Sequence, residues 1–129
     1  MIVLDASVVV ELLTDPAFAA PLLYDAANGA GPVIVPHLLD VEVVSALRRI
    51  FAAARNDMPE FEDVLTKLTE LPATRYPHTP LLGRVWELRH NFTAYDAIYI
   101  ALAEEMGSVL YTTDAKLRRG HRAQVRVLG

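Results

Sequence analysis

The stretch Met1-Ile-Val-Leu-Asp-Ala-Ser7 joins a short apolar run to an acid and a hydroxyl. An uninterrupted apolar run such as Ile2 to Leu4 is typical of a strand that is buried on both faces of a parallel sheet. Apolar residues at helical spacing follow over residues 7–13. A buried strand that leads directly into a helix is the building unit of an α/β fold, so Asp5 is predicted to lie where that strand ends.

The rest of the chain alternates in the same way between strand-like and helical segments. Strands are predicted at residues 33–35 and 108–112, edge strands at 73–76 and 125–127, and the longest helix at 38–55. Such alternation indicates parallel strands joined by right-handed helical crossovers. We therefore predict a single α/β domain over residues 1–129. It is a three-layer α/β/α sandwich whose mostly parallel central sheet has four to five strands.

Composition narrows the class of protein and its compartment. The 129 residues include no cysteine, which excludes disulfides and thiolate metal sites and agrees with a reducing, cytoplasmic location. Neither a signal peptide nor a membrane-spanning segment is expected, because the apolar stretches are short or interrupted by charge. The net charge of −4 argues by itself against a nucleic-acid partner.

One segment departs from this acidic balance. Residues 116–126 contain no acid and carry five basic side chains, which are Lys116, Arg118, Arg119, Arg122 and Arg126. A locally basic edge of this kind holds phosphates on a chain that is acidic overall. A solvated segment without a ligand explains the same charges about as well.

Four acids lie where an α/β fold would bring them to one edge of the sheet. Asp5 and Asp114 each follow a predicted strand directly, Glu42 lies near the start of the helix after residues 33–35, and Asp96 starts the helix before residues 108–112. Helix capping explains any one of them taken singly. Asp96 is the most informative, because it is the only charged residue between positions 93 and 103. A buried carboxylate needs a positive partner.

The residue types favour a hard cation at this edge. Carboxylates with nearby hydroxyls at Ser7, Thr112 and Thr113 suit Mg²⁺ or Mn²⁺ better than Zn²⁺, since the four histidines show no ligand spacing. Such an ion activates water for attack on a phosphodiester. Tyr95 and Tyr99 flank Asp96, and packing is favoured over base stacking for both.

The chain is similar to a known family at four segments. These are residues 1–8, 36–47, 95–103 and 110–117, and together they resemble the PIN domain, in the arrangement of the VapC-type toxins of toxin–antitoxin pairs. The resemblance implies an Mg²⁺- or Mn²⁺-dependent endoribonuclease of a type II toxin–antitoxin system.

The resemblance also implies residue roles and partners. Asp5, Glu42, Asp96 and Asp114 would be the catalytic, metal-binding acids, with Ser7 and Thr112 as supporting hydroxyls. From the charge of the basic segment, and not from the resemblance, Lys116, Arg118 and Arg119 are expected to bind the RNA backbone. A homodimer is implied, and so is a cognate antitoxin that assembles with the toxin and reaches its active site.

One departure from the family and two rival functions follow from the same residues. Many relatives carry Asn three residues after the second acid, where this chain has Ser45, which puts the support of Glu42 in question.

The first rival is a catalytically inactive PIN-fold binding module. The second is a phosphoacceptor domain with Asp5 as nucleophile, although the acid that such domains carry two residues later is here Ser7.

Overall fold

Strands and helices follow one another in the order that the sequence indicated. The computed structural model describes residues 1–54 and 58–129. The strands are β1 Ile2–Leu4, β2 Val33–Pro36, β3 Ala73–Tyr76, β4 Val109–Thr112 and β5 Gln124–Val127. The helices are α1 Ala6–Thr14, α2 Ala20–Ala27, α3 Leu38–Ala54, α4 Met58–Thr69, α5 Leu82–Glu87 and α6 Ala94–Met106. Arg55, the last residue of the longest predicted helix, lies outside the described residues.

The five strands form one sheet in the order β3-β2-β1-β4-β5, and each neighbouring pair is parallel. The predicted α/β class is therefore confirmed, with every pairing parallel where a mostly parallel sheet was expected. Both predicted edge strands lie at the edges. In the centre, Leu4 of β1 lies beside Tyr111 of β4, so the two strands end within one residue of the same level.

The core surrounds β1 and α6. Ile2, Val3 and Leu4 are at most 3% exposed, which requires cover on both faces of the sheet. Helix α6 packs on β1, β2 and β4 and is held by α5, while α1, α3 and α4 pack against one another. Every residue of α6 from Ala97 to Ala103 is buried, so this apolar helix fits a position against the sheet.

Among residues 1–54 and 58–129, the helices do not combine the length and the apolar character that a bilayer span requires.

Helix α2 is fastened to the sheet by polar contacts. The carboxylate of Asp25 accepts a hydrogen bond from the hydroxyl of Tyr111 in β4, and it pairs with Arg126 of β5 at 3.0 Å. Asp25 is mostly buried, at 11% side-chain exposure. Arg126 therefore belongs to a contact between α2 and the sheet.

Leu47 tests the contribution of α3 to the core. Its side chain is fully buried, whereas Ile50 on the same helix is 42% exposed. Leu47→Ala should lower the free energy of unfolding by about 2–5 kcal/mol, because a core cavity replaces the lost side chain. Ile50→Ala is the matched control and should cost clearly less. Equal losses in urea denaturation would contradict the described packing of α3.

Candidate active site

Asp5 is held at the end of β1 by its own local hydrogen bonds. Its Oδ1 accepts from the backbone N–H of Val8 at 3.1 Å and from the hydroxyl of Ser7 at 2.5 Å. Its backbone N–H donates to the carbonyl of Tyr111 at 3.1 Å, which continues the pairing of β1 with β4. Asp5 is therefore the N-cap of α1, as the capping interpretation predicted, and its carboxylate is also fixed at the sheet edge.

Asp114 occupies the equivalent place after β4. Its Oδ1 accepts from the backbone N–H of Lys116 at 2.9 Å, and its own N–H donates to the hydroxyl of Thr112 at 3.0 Å. The hydroxyl of Ser7 accepts from the N–H of Thr113 at 3.1 Å. Ser7 thus contacts Asp5 and also joins the end of β1 to the end of β4.

Asp96 and Glu42 are placed by helices α6 and α3. Thr93 is the N-cap of α6, and its hydroxyl accepts from the backbone N–H of Asp96 at 3.2 Å. Glu42 accepts a hydrogen bond of 2.6 Å from the hydroxyl of Tyr99. Because Tyr99 is one helical turn after Asp96, α6 positions both acids at once.

The four predicted acids line one cavity of about 380 Å³. Its other polar lining residues are Ser7, Glu11, Arg49, Tyr99 and Thr113. We call this space the acidic cavity. Thr112 is fully buried beneath it, where it contacts Asp5 and Asp114. The structure therefore brings together Asp5, Glu42, Asp96 and Asp114, which come from four separate parts of the chain.

The acids repel one another. Burial raises the pKa of Asp96, and the charges of Asp5 and Asp114 raise it further. Burial also raises the pKa of Glu42, with added repulsion from Asp96 and Asp5 and an opposing hydrogen bond from Tyr99. Burial raises the pKa of Asp5 despite its bonds from Ser7, Thr112 and backbone N–H groups. Each of these carboxylates is thus less favourable in its charged form than in water.

The donor set fits a hard divalent cation. Carboxylate oxygens that raise one another's pKa are the groups that Mg²⁺ or Mn²⁺ would stabilise in the charged form. In residues 1–54 and 58–129, no three His, Cys, Asp or Glu side chains are already grouped closely enough to hold an ion. Convergence on an ion would therefore need side-chain adjustment within the acidic cavity. The residues that would bind it are Asp5, Glu42, Asp96 and Asp114.

Three cavity residues were not assigned a role from the sequence. Glu11 lies four residues after Ser7, Arg49 seven residues after Glu42, and Tyr99 three residues after Asp96. Each spacing places the second residue on the same helix face as the first, which was the available signal. Packing alone was favoured for Tyr99. The residue is indeed buried, but its hydroxyl also binds Glu42.

The structure divides the basic segment. The charge of Lys116 lowers the pKa of Asp96, which places this lysine near the acidic cavity. Arg122 pairs with Glu104 at 3.1 Å, and Arg126 is held by Asp25. Two of the five basic residues are therefore paired with carboxylates of the fold, although the side chain of Arg122 stays 77% exposed. Arg118 and Arg119 are exposed and do not line the acidic cavity.

Two further expectations need correction. Ser45 forms no hydrogen bond with Glu42 in the described structure: its hydroxyl accepts from Nη1 of Arg49 at 3.2 Å, and Tyr99 supports the acid instead. Although Ser45 stands where many relatives carry Asn, Glu42 still has a hydrogen-bond partner, which is Tyr99 of α6. Tyr95 is 58% exposed beside the acids, so the packing interpretation was wrong for this residue.

Comparison with known proteins decides the family. The PIN domain model matches residues 2–122. This chain belongs to the PIN domain family. Over 124 residues the PIN domain is 39% identical to "VapC ribonuclease Mb0985" of Mycobacterium bovis, covering 96% of this chain and 94% of that protein. It is also 39% identical to "Ribonuclease VapC1" of Mycobacterium tuberculosis, covering 89% of this chain and 86% of that protein. The VapC-type resemblance is thereby confirmed.

Solved structures share the fold. PAE2754 from Pyrobaculum aerophilum superposes with a TM-score of 0.68 at 22% identity, covering 95% of this PIN domain and 86% of that chain. A chain of the VapBC2 structure from Rickettsia felis, "bound to a DNA fragment from their promoter", gives 0.72 at 13% identity, with full coverage of both chains. The central parallel sheet with flanking helices is thus that of the family.

Neutralising Asp96 should stabilise the protein in the absence of divalent ions. Since the pKa of Asp96 is higher in the folded protein than in the unfolded chain, the folded state binds this proton more tightly. The contribution of the Asp96 carboxyl group to the free energy of unfolding is therefore complete at low pH. It falls as the pH rises through the pKa of this group in the unfolded chain and then through its higher pKa in the folded protein. Asp96→Asn should raise Tm at neutral pH by a few degrees in EDTA, and by less in acid.

Glu105→Gln is the matched control for this measurement. Glu105 is exposed on the same helix and does not line the acidic cavity, so its variant should hold the wild-type Tm. A Tm for Asp96→Asn at or below that of Glu105→Gln would show that the acids do not repel one another as described.

Proposed function

We propose that this PIN domain is an Mg²⁺- or Mn²⁺-dependent endoribonuclease and the toxin of a type II toxin–antitoxin pair. The observation that carries the proposal is the acidic cavity, where carboxylates from four parts of the chain repel one another and would converge on a cation after side-chain adjustment. The names of its relatives, which are VapC ribonucleases at 39% identity, support RNA as the substrate.

In the proposed reaction, water attacks phosphorus and the phosphodiester bond to the leaving sugar oxygen breaks. Asp5, Asp96, Asp114 and Glu42 would hold the divalent ion. When bound, that ion supplies a lowered pKa for water and charge stabilisation for the phosphate. Glu42 has a raised pKa and faces the acidic cavity, so it would accept a hydrogen bond from the attacking water.

The remaining residues of the site fix these acids. Ser7 and Thr112 hold Asp5 from two sides, and Tyr99 holds Glu42. Lys116, near Asp96, would contact a phosphate of the RNA, and the exposed Arg118 and Arg119 would bind it farther from the reaction. These hydrogen bonds limit how far the acids must move when they converge on the ion.

The proposal includes a cognate antitoxin, a homodimer and a cytoplasmic location. Two structures that share the fold, VapBC2 of Rickettsia felis and FitAB bound to IR36 DNA, are named as two-component assemblies on DNA. By analogy we propose that an antitoxin binds this chain and controls access to the acidic cavity. Co-purification with the product of a neighbouring small reading frame, with loss of RNA cleavage, tests this part.

Cleavage of RNA tests the catalytic proposal. The wild-type protein should cleave cellular RNA with Mg²⁺ or Mn²⁺ and should stop when EDTA is added. Asp96→Asn should lose about 100-fold or more of the rate, because it removes one charged ligand. Glu105→Gln is the matched control and should cleave like wild type. Equal cleavage by wild type with Mg²⁺, wild type with EDTA and Asp96→Asn would refute the proposal.

Calorimetry separates the enzyme from an inactive binding module with the same fold. The enzyme should bind Mg²⁺, and Asp96→Asn should bind it more weakly. A wild-type protein that binds RNA or an antitoxin but neither Mg²⁺ nor Mn²⁺ would be the inactive module. A phosphorylated Asp5, trapped with a phosphoryl donor, would instead identify the phosphoacceptor that Ser7 argues against.

Tyr99→Phe tests the support of Glu42. The hydroxyl of Tyr99 lowers the pKa of Glu42, so its removal should raise that pKa. The acid limb of the kcat/KM profile against pH should therefore move to higher pH. The free energy of unfolding should fall by about 1 kcal/mol, the net value of one buried hydrogen bond. Tyr24→Phe, at a 69% exposed tyrosine on α2, should leave the profile unchanged.

A further inference from the structure

A second cavity adjoins the acidic cavity and shares two of its residues. Glu42 and Arg49 line both spaces. The second space measures about 330 Å³, and its remaining lining residues are Leu38, Val41, Ser45 and Tyr95. We call it the side lobe. Its walls carry one carboxylate, that of Glu42, whereas the walls of the acidic cavity carry five.

Arg49 lines both cavities, and its guanidinium is not paired with a carboxylate of the described residues. In the described part of the chain it forms no ion pair, although five carboxylates line the acidic cavity beside it. Arg75 and Arg84, by contrast, pair with carboxylates at 2.7 and 3.0 Å. The contact of Arg49 is with the neutral hydroxyl of Ser45, which orients the guanidinium without cancelling its charge.

The position of Arg49 matters because RNA is a polyanion. Five carboxylates repel an approaching phosphate, and Arg49 is the one basic residue in the described ranges that lines the acidic cavity. A guanidinium binds a phosphate through two parallel hydrogen bonds. Because Arg49 lines both cavities, a phosphate bound to it would lie beside the space that the carboxylates enclose.

Tyr95 supplies an exposed aromatic face to the side lobe. It is 58% exposed, and Val41 on the other wall is 69% exposed. Tyr95 directly precedes Asp96, so its ring is tied to the position of a metal-binding acid. Exposed aromatic side chains beside a backbone track stack on nucleobases, which contributes about 1–3 kcal/mol per base.

We propose that the side lobe binds the nucleotide adjacent to the cleaved phosphate. Arg49, oriented by Ser45, contacts that nucleotide's phosphate, and Tyr95 stacks on its base against Val41 and Leu38. This proposal rests on the proposed ribonuclease function. The stacking contact needs an unpaired base, because a base stacked within a duplex is not available to the ring of Tyr95. An apolar surface also suits a protein partner. The shared wall with the acidic cavity and the unpaired guanidinium favour RNA.

Arg49→Gln tests the phosphate contact, with Arg48→Gln as the matched control. Arg48 is the neighbouring arginine on α3, exposed and absent from both cavities. For a short single-stranded RNA of mixed sequence, Arg49→Gln should raise KM about tenfold with a smaller change in kcat. The same substitution should also reduce the slope of log binding constant against log salt concentration by about one, because one phosphate contact is lost. Arg49→Lys should recover that slope, and Arg48→Gln should match wild type.

Tyr95→Ala tests the stacking contact. The probe is the same RNA with 2-aminopurine at each position in turn, bound to an Asp96→Asn background that cleaves slowly. Stacking on Tyr95 should quench one position. Tyr95→Ala should abolish that quenching and weaken binding about tenfold, while Tyr95→Phe keeps both, since the ring and not the hydroxyl is required. Tyr24→Ala, which removes an exposed tyrosine from α2, is the control.

The outcomes separate the side lobe from the ribonuclease proposal. A wild-type protein without Mg²⁺-dependent cleavage would remove the function and the subsite together. Normal wild-type cleavage, with Arg49→Gln and Tyr95→Ala indistinguishable from their controls, would overturn only the subsite. If Tyr95→Ala instead changed the sedimentation coefficient without altering RNA binding, the lobe would be a protein interface and the nucleotide assignment would be wrong.

Discussion

The parallel pairing of β1 with β4 is the constraint on which the site depends. This pairing sets Leu4 beside Tyr111, so the two strands end within one residue of the same level. An aspartate follows within two residues of each strand end, Asp5 after β1 and Asp114 after β4. Ser7 then connects the two ends through the carboxylate of Asp5 and the N–H of Thr113. A slip of one residue would turn the side chains of β1 to the opposite face of the sheet and separate the acids. The buried apolar run Ile2–Leu4 thus fixes the geometry of the acidic cavity as well as the core.

Folding and function compete in the acidic cavity. The carboxylates cost stability because burial and mutual repulsion disfavour their charged forms. Local hydrogen bonds offset part of that cost. Asp5 caps α1, Asp114 caps a short 3-10 helix at Ala115–Arg118, and both are candidate ligands. The hydroxyl of Tyr99 lowers the pKa of Glu42. The capping and metal-site interpretations of the sequence are therefore compatible, since the starts of helices and the ends of parallel strands meet at the same edge.

Helix α3 has two different polar functions on neighbouring turns. Glu42 faces the acidic cavity and is held across it by α6, whereas Ser45 orients Arg49 within its own helix. This division explains how the site accommodates Ser45 in place of the common Asn. The basic segment shows the opposite case. Its residues look equivalent in the sequence but have different surroundings in the structure. Lys116 lies near the acids, whereas Arg122 and Arg126 form ion pairs with Glu104 and Asp25.

The sequence by itself determined which strands are buried, which strands lie at the edges of the sheet, the α/β class and the end of the sheet at which the four acids lie. These features follow from local patterns, because apolar runs, helix starts and strand ends are encoded by adjacent residues. Only the tertiary structure decided that Tyr99 holds Glu42, a contact across 57 residues, and that Tyr95 remains exposed while Tyr99 is buried. It also decided which arginines are neutralised. The physical reason is that such pairings depend on which helix faces meet across the sheet, and no local spacing records the rotation of one helix against another.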